Sequence, residues 1–234
     1  MTKHLSAALK AVDWTGNVQA FIDKAAEAQA VEDANLRTAI WAKQLESADH
    51  GNPALSFVRE MQTAAQQVAV LIALGLYKAS AASMRSMTEA GLYYTYFRTH
   101  PAELATLVRD TKYFIGKYDV IEFHKLHTPR FRITQEKLGL LTRLDAWYSD
   151  VSAVVHGQIP GAWANHTAVG EIKNNHALQS QAVTKLVEGE DALHRLFLCT
   201  VGQALWDSFS SAAKKRLLAG LPGEQKAALA LDPA

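Results

Sequence analysis

The sequence predicts an all-α fold, a single helical bundle of long antiparallel helices. Alanine is abundant, and leucine, glutamine, glutamate and lysine are common, and these residue types favour helix. Alternating β-branched segments bounded by Asn-Gly or Asp-Gly turns are missing, so no β-hairpin is expected. The six prolines are widely spaced and separate the predicted helical segments.

Apolar periodicity and capping residues place the individual helices. Asn17 and 49–51 mark caps or breaks, and Gly75 marks either a kink or a tight break. The clearest amphipathic face begins at Thr134 and includes Trp147. We predict helices at about 4–12, 17–47, 54–75, 77–98, 102–117, 134–156 and 180–219, and a short helix at 223–231.

Two segments, 118–133 and 157–178, show no helical pattern. Loops of this length are uncommon in compact domains and are usually functional or disordered. No internal repeat and no linker divides the chain. We therefore predict that residues 1–234 form one domain.

Composition excludes several classes of protein. With 24 Lys and Arg against 23 Asp and Glu, the chain has no global basic field for nucleic acid. The single cysteine, Cys199, lies in an apolar run and is predicted to be a core residue, with no disulfide and no cysteine-rich zinc site. Residues 1–10 lack a targeting pattern, and the apolar run 68–76 is too short to span a membrane. We expect a cytoplasmic protein with no membrane partner and no cofactor.

The helix predicted at 77–98 carries a first candidate group on one face: Lys78, Arg85, Glu89 and Tyr96. Arg85 and Glu89 form an i,i+4 pair. The largely apolar surroundings predict that this pair is partly buried. It is either a structural salt bridge between helices or an anion site in which the guanidinium group of Arg85 binds a phosphate.

The end of the helix predicted at 134–156 carries a second candidate group. Tyr148, Ser152 and His156 share one flank of its apolar face, and Gly157 occupies the preferred C-cap position. His156 is either a general acid or base or a capping histidine bonded to Ser152 or to backbone.

A third group, Glu122, His124 and His127, has a spacing that two metal ligands on a helix could use. Spacing determines no third ligand, so we predict surface histidines and no metal site. Phosphate-binding glycine loops, zinc-protease motifs and nucleophile-elbow motifs are missing.

Three segments are distinctive: Ala79–Ala90, Tyr93–Leu104 and Tyr148–Gly157. The first carries an Arg-x-x-x-Glu motif on a helix, and the last carries a Ser-x-x-x-His-Gly motif at a helix end. In these motifs the chain resembles uncharacterised bacterial all-helical families similar to the HEPN superfamily of helical-bundle nucleases and nucleotide-binding modules. The resemblance covers roughly 54–160. It implies a dimerising helical bundle with a role in bacterial defence, stress or toxin–antitoxin systems.

Active HEPN ribonucleases carry an arginine a few residues before a histidine on the same helix. Here the nearest arginine before His156 is Arg143, so the resemblance implies catalysis by Arg85 and His156 from separate helices. His156 would act as base or acid and Arg85 would stabilise charge on the phosphorane, with no metal required. Glu89 would hold Arg85, while Ser152 or Tyr148 would orient the imidazole. Lys78, Tyr96 and Tyr148 are the expected binding residues.

Two other functions remain open. In one, the chain is a non-catalytic helical interaction module or regulatory subunit, and the same residues form a buried polar network. In the other, it is a nucleotide or anion sensor with a pocket lined by Arg85, Tyr93, Tyr96 and Trp147. Wide apolar helix faces need partners, so we expect a homodimer, with RNA, a nucleotide or a partner protein as further partners.

Overall fold

The computed structural model describes residues 2–164 and 166–231, and this part of the chain is all-α, with no β-strand. A short 3₁₀ turn, Val169–Glu171, lies in the longest connection. The α-helices are α1 (Thr2–Ala11), α2 (Trp14–Ile22), α3 (Ala25–Ala48), α4 (Leu55–Ala73), α5 (Tyr77–Phe97), α6 (Pro101–Arg109), α7 (Lys117–His127), α8 (Phe131–Leu138), α9 (Leu140–Val155), α10 (His176–Thr200), α11 (Gly202–Asp207), α12 (Ser211–Leu217) and α13 (Gly223–Leu229).

Helix α5 lies at the centre of the packing. It forms a hairpin with α4 and also contacts α9 and α10, while α3 packs on both α4 and α10. The hairpin turns at Gly75, whose φ of +78° ends α4, so the break is tight rather than a kink. The core between these helices is apolar and aromatic and includes Trp41, Met84, Trp147 and Phe197.

Two glycines of this core allow close helix packing. A Cβ on Gly189 would lie 2.5 Å from the indole of Trp147, so its absence lets α10 approach α9. A Cβ on Gly91 would lie 2.2 Å from Leu193, so α5 approaches α10 in the same way. These contacts hold α5 and α9 beside α10, and they place the two candidate groups of the sequence near each other.

The helix predicted at 102–117 is present only up to Arg109, and the prediction of a loop at 118–133 was wrong. Helix α6 ends at Arg109, where Asp110 adopts an extended conformation and accepts the backbone N–H of Lys112 at 2.9 Å. Helix α7 begins after Gly116, whose backbone N–H donates to Asp119 at 2.9 Å. The buried face of α7 includes a histidine, which obscured its apolar periodicity.

Three other predicted helices are interrupted. The segment 17–47 divides into α2 and α3 at residues 23–24, and 134–156 divides into α8 and α9 at Gly139, with φ +61°. The segment 180–219 starts earlier, at His176, and divides into α10, α11 and α12. In 157–164 and 166–175 the structure contains only the 3₁₀ turn, and α10 begins at His176.

The apolar run 68–76 contributes buried residues to the end of α4, including Val68 and Ile72. Among the described helices, none combines the length and apolar character that a membrane crossing needs.

Candidate functional site

The first half of the candidate site lies on α5. The Nε atom of Arg85 donates to Oε1 of Glu89 at 2.8 Å, as the i,i+4 spacing predicted. The two side chains are 23% and 39% exposed, so the pair lies at the edge of the core and open to solvent. Burial lowers the pKa of Arg85, but the hydrogen bond and charge of Glu89 outweigh it and raise the pKa.

The second half lies at the end of α9. His156 is the exposed C-cap residue, and Gly157 follows with φ +67°. The N–H of Gly157 donates to Val154 at 3.2 Å, and the N–H of Gln158 donates to Ala153 at 3.0 Å. This pair of bonds is a Schellman motif, which needs a residue that tolerates the left-handed conformation. Gly157 therefore ends the helix, one position beyond the predicted C-cap position, which His156 occupies.

The structure brings the two halves together. Nη1 of Arg85 contacts Nε2 of His156, and Nη2 of Arg85 donates to the Tyr148 hydroxyl at 2.9 Å. That hydroxyl donates in turn to Oε1 of Glu89 at 2.6 Å. We call these four residues the Arg85–His156 cluster. It links α5 to α9 through one guanidinium group.

The hydrogen-bond chemistry assigns donors and acceptors in the cluster. A guanidinium group only donates hydrogen bonds, so Nε2 of His156 is the acceptor in its contact with Arg85. Burial, and after it the hydrogen bond and charge of Glu89, raise the pKa of Tyr148 to about 12, although Arg85 lowers it. Tyr148 is therefore a neutral phenol near pH 7.

Two lysines border the cluster. Nζ of Lys78 lies 3.8 Å from the point where a Cβ on Gly157 would be, and so beside the C-terminus of α9. Nζ of Lys117 lies 4.9 Å from the centre of the Tyr148 ring and forms an ion pair with Asp145. Lys78 was among the predicted binding residues, whereas Lys117 was not. No local pattern in the chain links Lys117 to α9, which it meets only through the tertiary fold.

Two predicted site residues do not join the cluster. Tyr96 lies two helical turns beyond Glu89, and its hydroxyl donates to Glu103 at 2.6 Å while its ring stacks on His100. Tyr96, which was predicted as a binding residue, therefore lies apart from the cluster, because that turn of α5 faces α6. The Oγ atom of Ser152 is buried and makes no hydrogen bond among the described residues.

The pocket expected for a ligand sensor is not assembled from its predicted residues. Trp147 is 2% exposed and donates its Nε1–H to the carbonyl of Lys185 at 2.6 Å. Its ring belongs to the core between α9 and α10, while Tyr96 is bonded to Glu103. These two side chains thus have partners away from Arg85.

The predicted surface position of the third group is right for His127 and wrong for His124. His124 is 2% exposed and bonds to the hydroxyls of Thr95 at 2.9 Å and Thr128 at 2.7 Å. Within 2–164 and 166–231, no three His, Cys, Asp or Glu side chains are placed to share a metal ion. Cys199 is buried in the core as predicted, and burial raises the pKa of its thiol to about 12.

Comparisons of the chain with protein-family models, with curated proteins and with solved structures found no match.

Proposed function

We propose that the chain is a HEPN-like, metal-independent endoribonuclease whose active site is the Arg85–His156 cluster. The observation that carries this proposal is the contact between Nη1 of Arg85 and Nε2 of His156, made between two helices. It supplies from α5 and α9 the two residue types that the resembled ribonucleases carry on one helix. A guanidinium group beside an imidazole is suited to phosphodiester chemistry.

In the proposed reaction a substrate phosphate takes the Nη1 donor of Arg85. Since Nε2 of His156 loses that partner, it is free to accept the proton of the ribose 2′-hydroxyl. The 2′-oxygen forms a bond to the adjacent phosphorus, and the bond from phosphorus to the 5′-oxygen breaks. The products are a 2′,3′-cyclic phosphate and a 5′-hydroxyl, which takes its proton from solvent.

The remaining residues of the cluster position these groups. Glu89 and Tyr148 hold the Nε and Nη2 atoms of Arg85, so Nη1 points toward His156. Negative charge that develops on the phosphorane oxygens lies beside Arg85, where a preorganised donor stabilises it. Lys78 and Lys117 add positive charge at either side of the cluster.

The test uses total RNA in the presence of EDTA, with wild type and His156→Ala compared at equal protein concentration. We expect wild type to cleave RNA and His156→Ala to lose at least about 100-fold in rate, the scale of general acid–base catalysis. Because His156 is exposed, the free energy of unfolding of the two proteins should agree within about 0.5 kcal/mol. Absence of cleavage by wild type at every RNA concentration would contradict the proposal.

A second candidate function is a non-catalytic interaction module or regulatory subunit. Three nitrogens of Arg85 each have a side-chain partner inside the protein, as in a polar network that fixes helix register. This candidate predicts that His156→Ala unfolds more easily and that no RNA is cut.

A nucleotide sensor predicts thermal stabilisation by a nucleotide without cleavage.

The resemblance also leads us to propose a cytoplasmic homodimer that acts in bacterial defence or toxin–antitoxin systems. Exposed apolar side chains support a protein interface: Val108 is 80%, Phe114 73% and Tyr118 71% exposed, in and between α6 and α7. Sedimentation equilibrium tests the dimer, which should weaken when Phe114 and Tyr118 are both changed to serine.

A further inference from the structure

A cavity of about 550 Å³ lies beside α3, and one of about 450 Å³ lies beside α9. The first is lined by Arg37 and Glu190, which already neutralise each other. The second, which we call the α9 cavity, lies between α9, the start of α10 and the loop 157–163. The α9 cavity lies next to His156, whereas the cavity beside α3 does not.

The α9 cavity has the walls of a site for a flat, largely apolar group. Its apolar lining consists of Val151, Val154, Ile159, Ala162, Trp163 and Leu178. Ile159 is 58% exposed at the mouth, whereas Trp163 is only 8% exposed. A volume of about 450 Å³ falls in the range of small-molecule sites, which are mainly apolar with a few polar groups.

The rim supplies those polar groups. Ser149 and Gln181 line the cavity, and neither side chain makes a hydrogen bond among the described residues. Asp150 also lines it and pairs with Lys185 at 2.8 Å. A ligand that enters thus meets a free hydroxyl, a free amide and a carboxylate, which together match the donors and acceptors at the edge of a nucleobase.

One residue of the same loop has a strained backbone conformation. Trp163 has φ +58°, a left-handed conformation that is unfavourable for a bulky aromatic residue. Such strain persists where the surroundings hold it, and it occurs often at ligand sites. Here it places the indole group in the wall of the cavity.

Helix geometry connects the cavity to the Arg85–His156 cluster. Ala153 lines the cavity and lies three residues before His156, so the two Cβ atoms are about 5–6 Å apart. The loop that closes the cavity begins directly after His156. A phosphate at Arg85 and a base in the cavity are therefore within the reach of one nucleotide.

We propose that the α9 cavity is a subsite for one nucleobase of the RNA strand whose phosphate binds at Arg85 and His156. This inference rests on the proposed function for the position of the phosphate. The base packs against Trp163 and the apolar wall, while Ser149 and Gln181 contact its edge. The subsite gives the enzyme a preference among bases at the cleaved position.

The test compares the affinities of the four 5′-mononucleotides with that of ribose 5-phosphate by isothermal titration calorimetry on the full chain. We expect at least one mononucleotide to bind about tenfold or more tightly than ribose 5-phosphate, the scale of one base stacked on an aromatic side chain. Ala153→Leu, which fills the cavity, should abolish this difference and leave ribose 5-phosphate binding unchanged. Ala146→Leu, on the exposed face of the same helix, should keep it.

A second variant provides the same test if Ala153→Leu fails to fold. Trp163→Gly removes the ring at a position whose φ suits glycine, and it should also abolish the preference for mononucleotides. Equal affinity of wild type for mononucleotides and ribose 5-phosphate overturns the subsite, as does a preference that survives in both variants. RNA cleavage without a base preference contradicts the subsite alone. A base preference without cleavage contradicts the proposed function alone.

Discussion

Two clusters in this protein combine arginine, glutamate, histidine and an aromatic hydrogen-bond donor, and they differ in exposure. One is the Arg85–His156 cluster, whose histidine is exposed and whose ion pair is open to solvent. The other, which we call the buried cluster, consists of Arg37, Trp41, Glu190 and His194. It joins α3 to α10, and its glutamate and histidine are each only 2% exposed.

The buried cluster is closed in its hydrogen bonds as well. Nε of Arg37 donates to both carboxylate oxygens of Glu190 at 2.8 and 2.9 Å, and Nε1 of Trp41 donates to Nδ1 of His194 at 2.9 Å. Arg37 is 31% exposed, but the carboxylate of Glu190 is taken out of water and needs its partner permanently, so this cluster holds α3 against α10. In the Arg85–His156 cluster, Arg85 can exchange a side-chain partner for an anion from solution, because water and ligands reach it.

The largest effect should follow from breaking the buried pair. Arg37→Met leaves Glu190 without its counter-ion, and burial already raises the pKa of Glu190 against the opposing effect of Arg37. We expect a loss of about 3–5 kcal/mol in the free energy of unfolding, measured in urea at pH 7. Because the folded state then holds the proton of Glu190 more tightly than the unfolded state, the loss should grow as pH rises above 4.5. A second change, Glu190→Leu, should restore most of the stability, and a loss below about 1 kcal/mol would contradict this view.

Acid should destabilise the protein through its buried histidines. Burial, aided by nearby positive charge, lowers the pKa of His124 from 6.5 to about 3 and that of His194 well below 6.5. The unfolded chain binds these protons first, so stability is complete above about pH 6.5 and falls as pH decreases. Between pH 7 and pH 5 His124 should remove about 2 kcal/mol, and His194 acts in the same direction. His124→Gln, which does not titrate, should reduce the pH dependence by that amount, and an unchanged dependence would contradict the assignment.

A smaller effect on stability is expected from a substitution in the Arg85–His156 cluster. Arg85→Met should lower the free energy of unfolding by less than about 1 kcal/mol, because both members of its ion pair are accessible to water. RNA cleavage should nevertheless be lost. The same urea titration that measures Arg37→Met provides the comparison. A loss as large as that of Arg37→Met would make this cluster a structural network.

The smallest change in stability should come from Tyr148→Phe. Its hydroxyl holds Nη2 of Arg85 and Oε1 of Glu89, and both atoms can turn to water instead. We expect a change within about 0.5 kcal/mol, together with a slower cleavage rate from a less well positioned guanidinium group. Tyr118→Phe, at a 71% exposed tyrosine outside the cluster, is the matched control and should leave the rate unchanged. Equal rates for both variants would remove Tyr148 from the site.

The same contrast explains what could be predicted from the sequence. The all-α class and each half of the Arg85–His156 cluster depend on spacings of four residues along one helix, which are visible locally. The breaks at residues 23–24 and 139 and the helix α7 depend on caps and on a buried histidine, which weaken the apolar pattern. The contact of Lys117 with Tyr148 and the buried pair of Arg37 with Glu190 join distant segments, so no local pattern reveals them.

The most direct measurement uses a DNA oligonucleotide that contains one ribose, incubated in EDTA with wild type and with His156→Ala. If the Arg85–His156 cluster activates a 2′-hydroxyl, wild type should cut at the single ribose and leave a 2′,3′-cyclic phosphate. His156→Ala should leave the oligonucleotide intact while its free energy of unfolding stays within about 0.5 kcal/mol of wild type. Cutting at deoxyribose positions, or equal cutting by both proteins, would contradict the assignment of this cluster as a ribonuclease site.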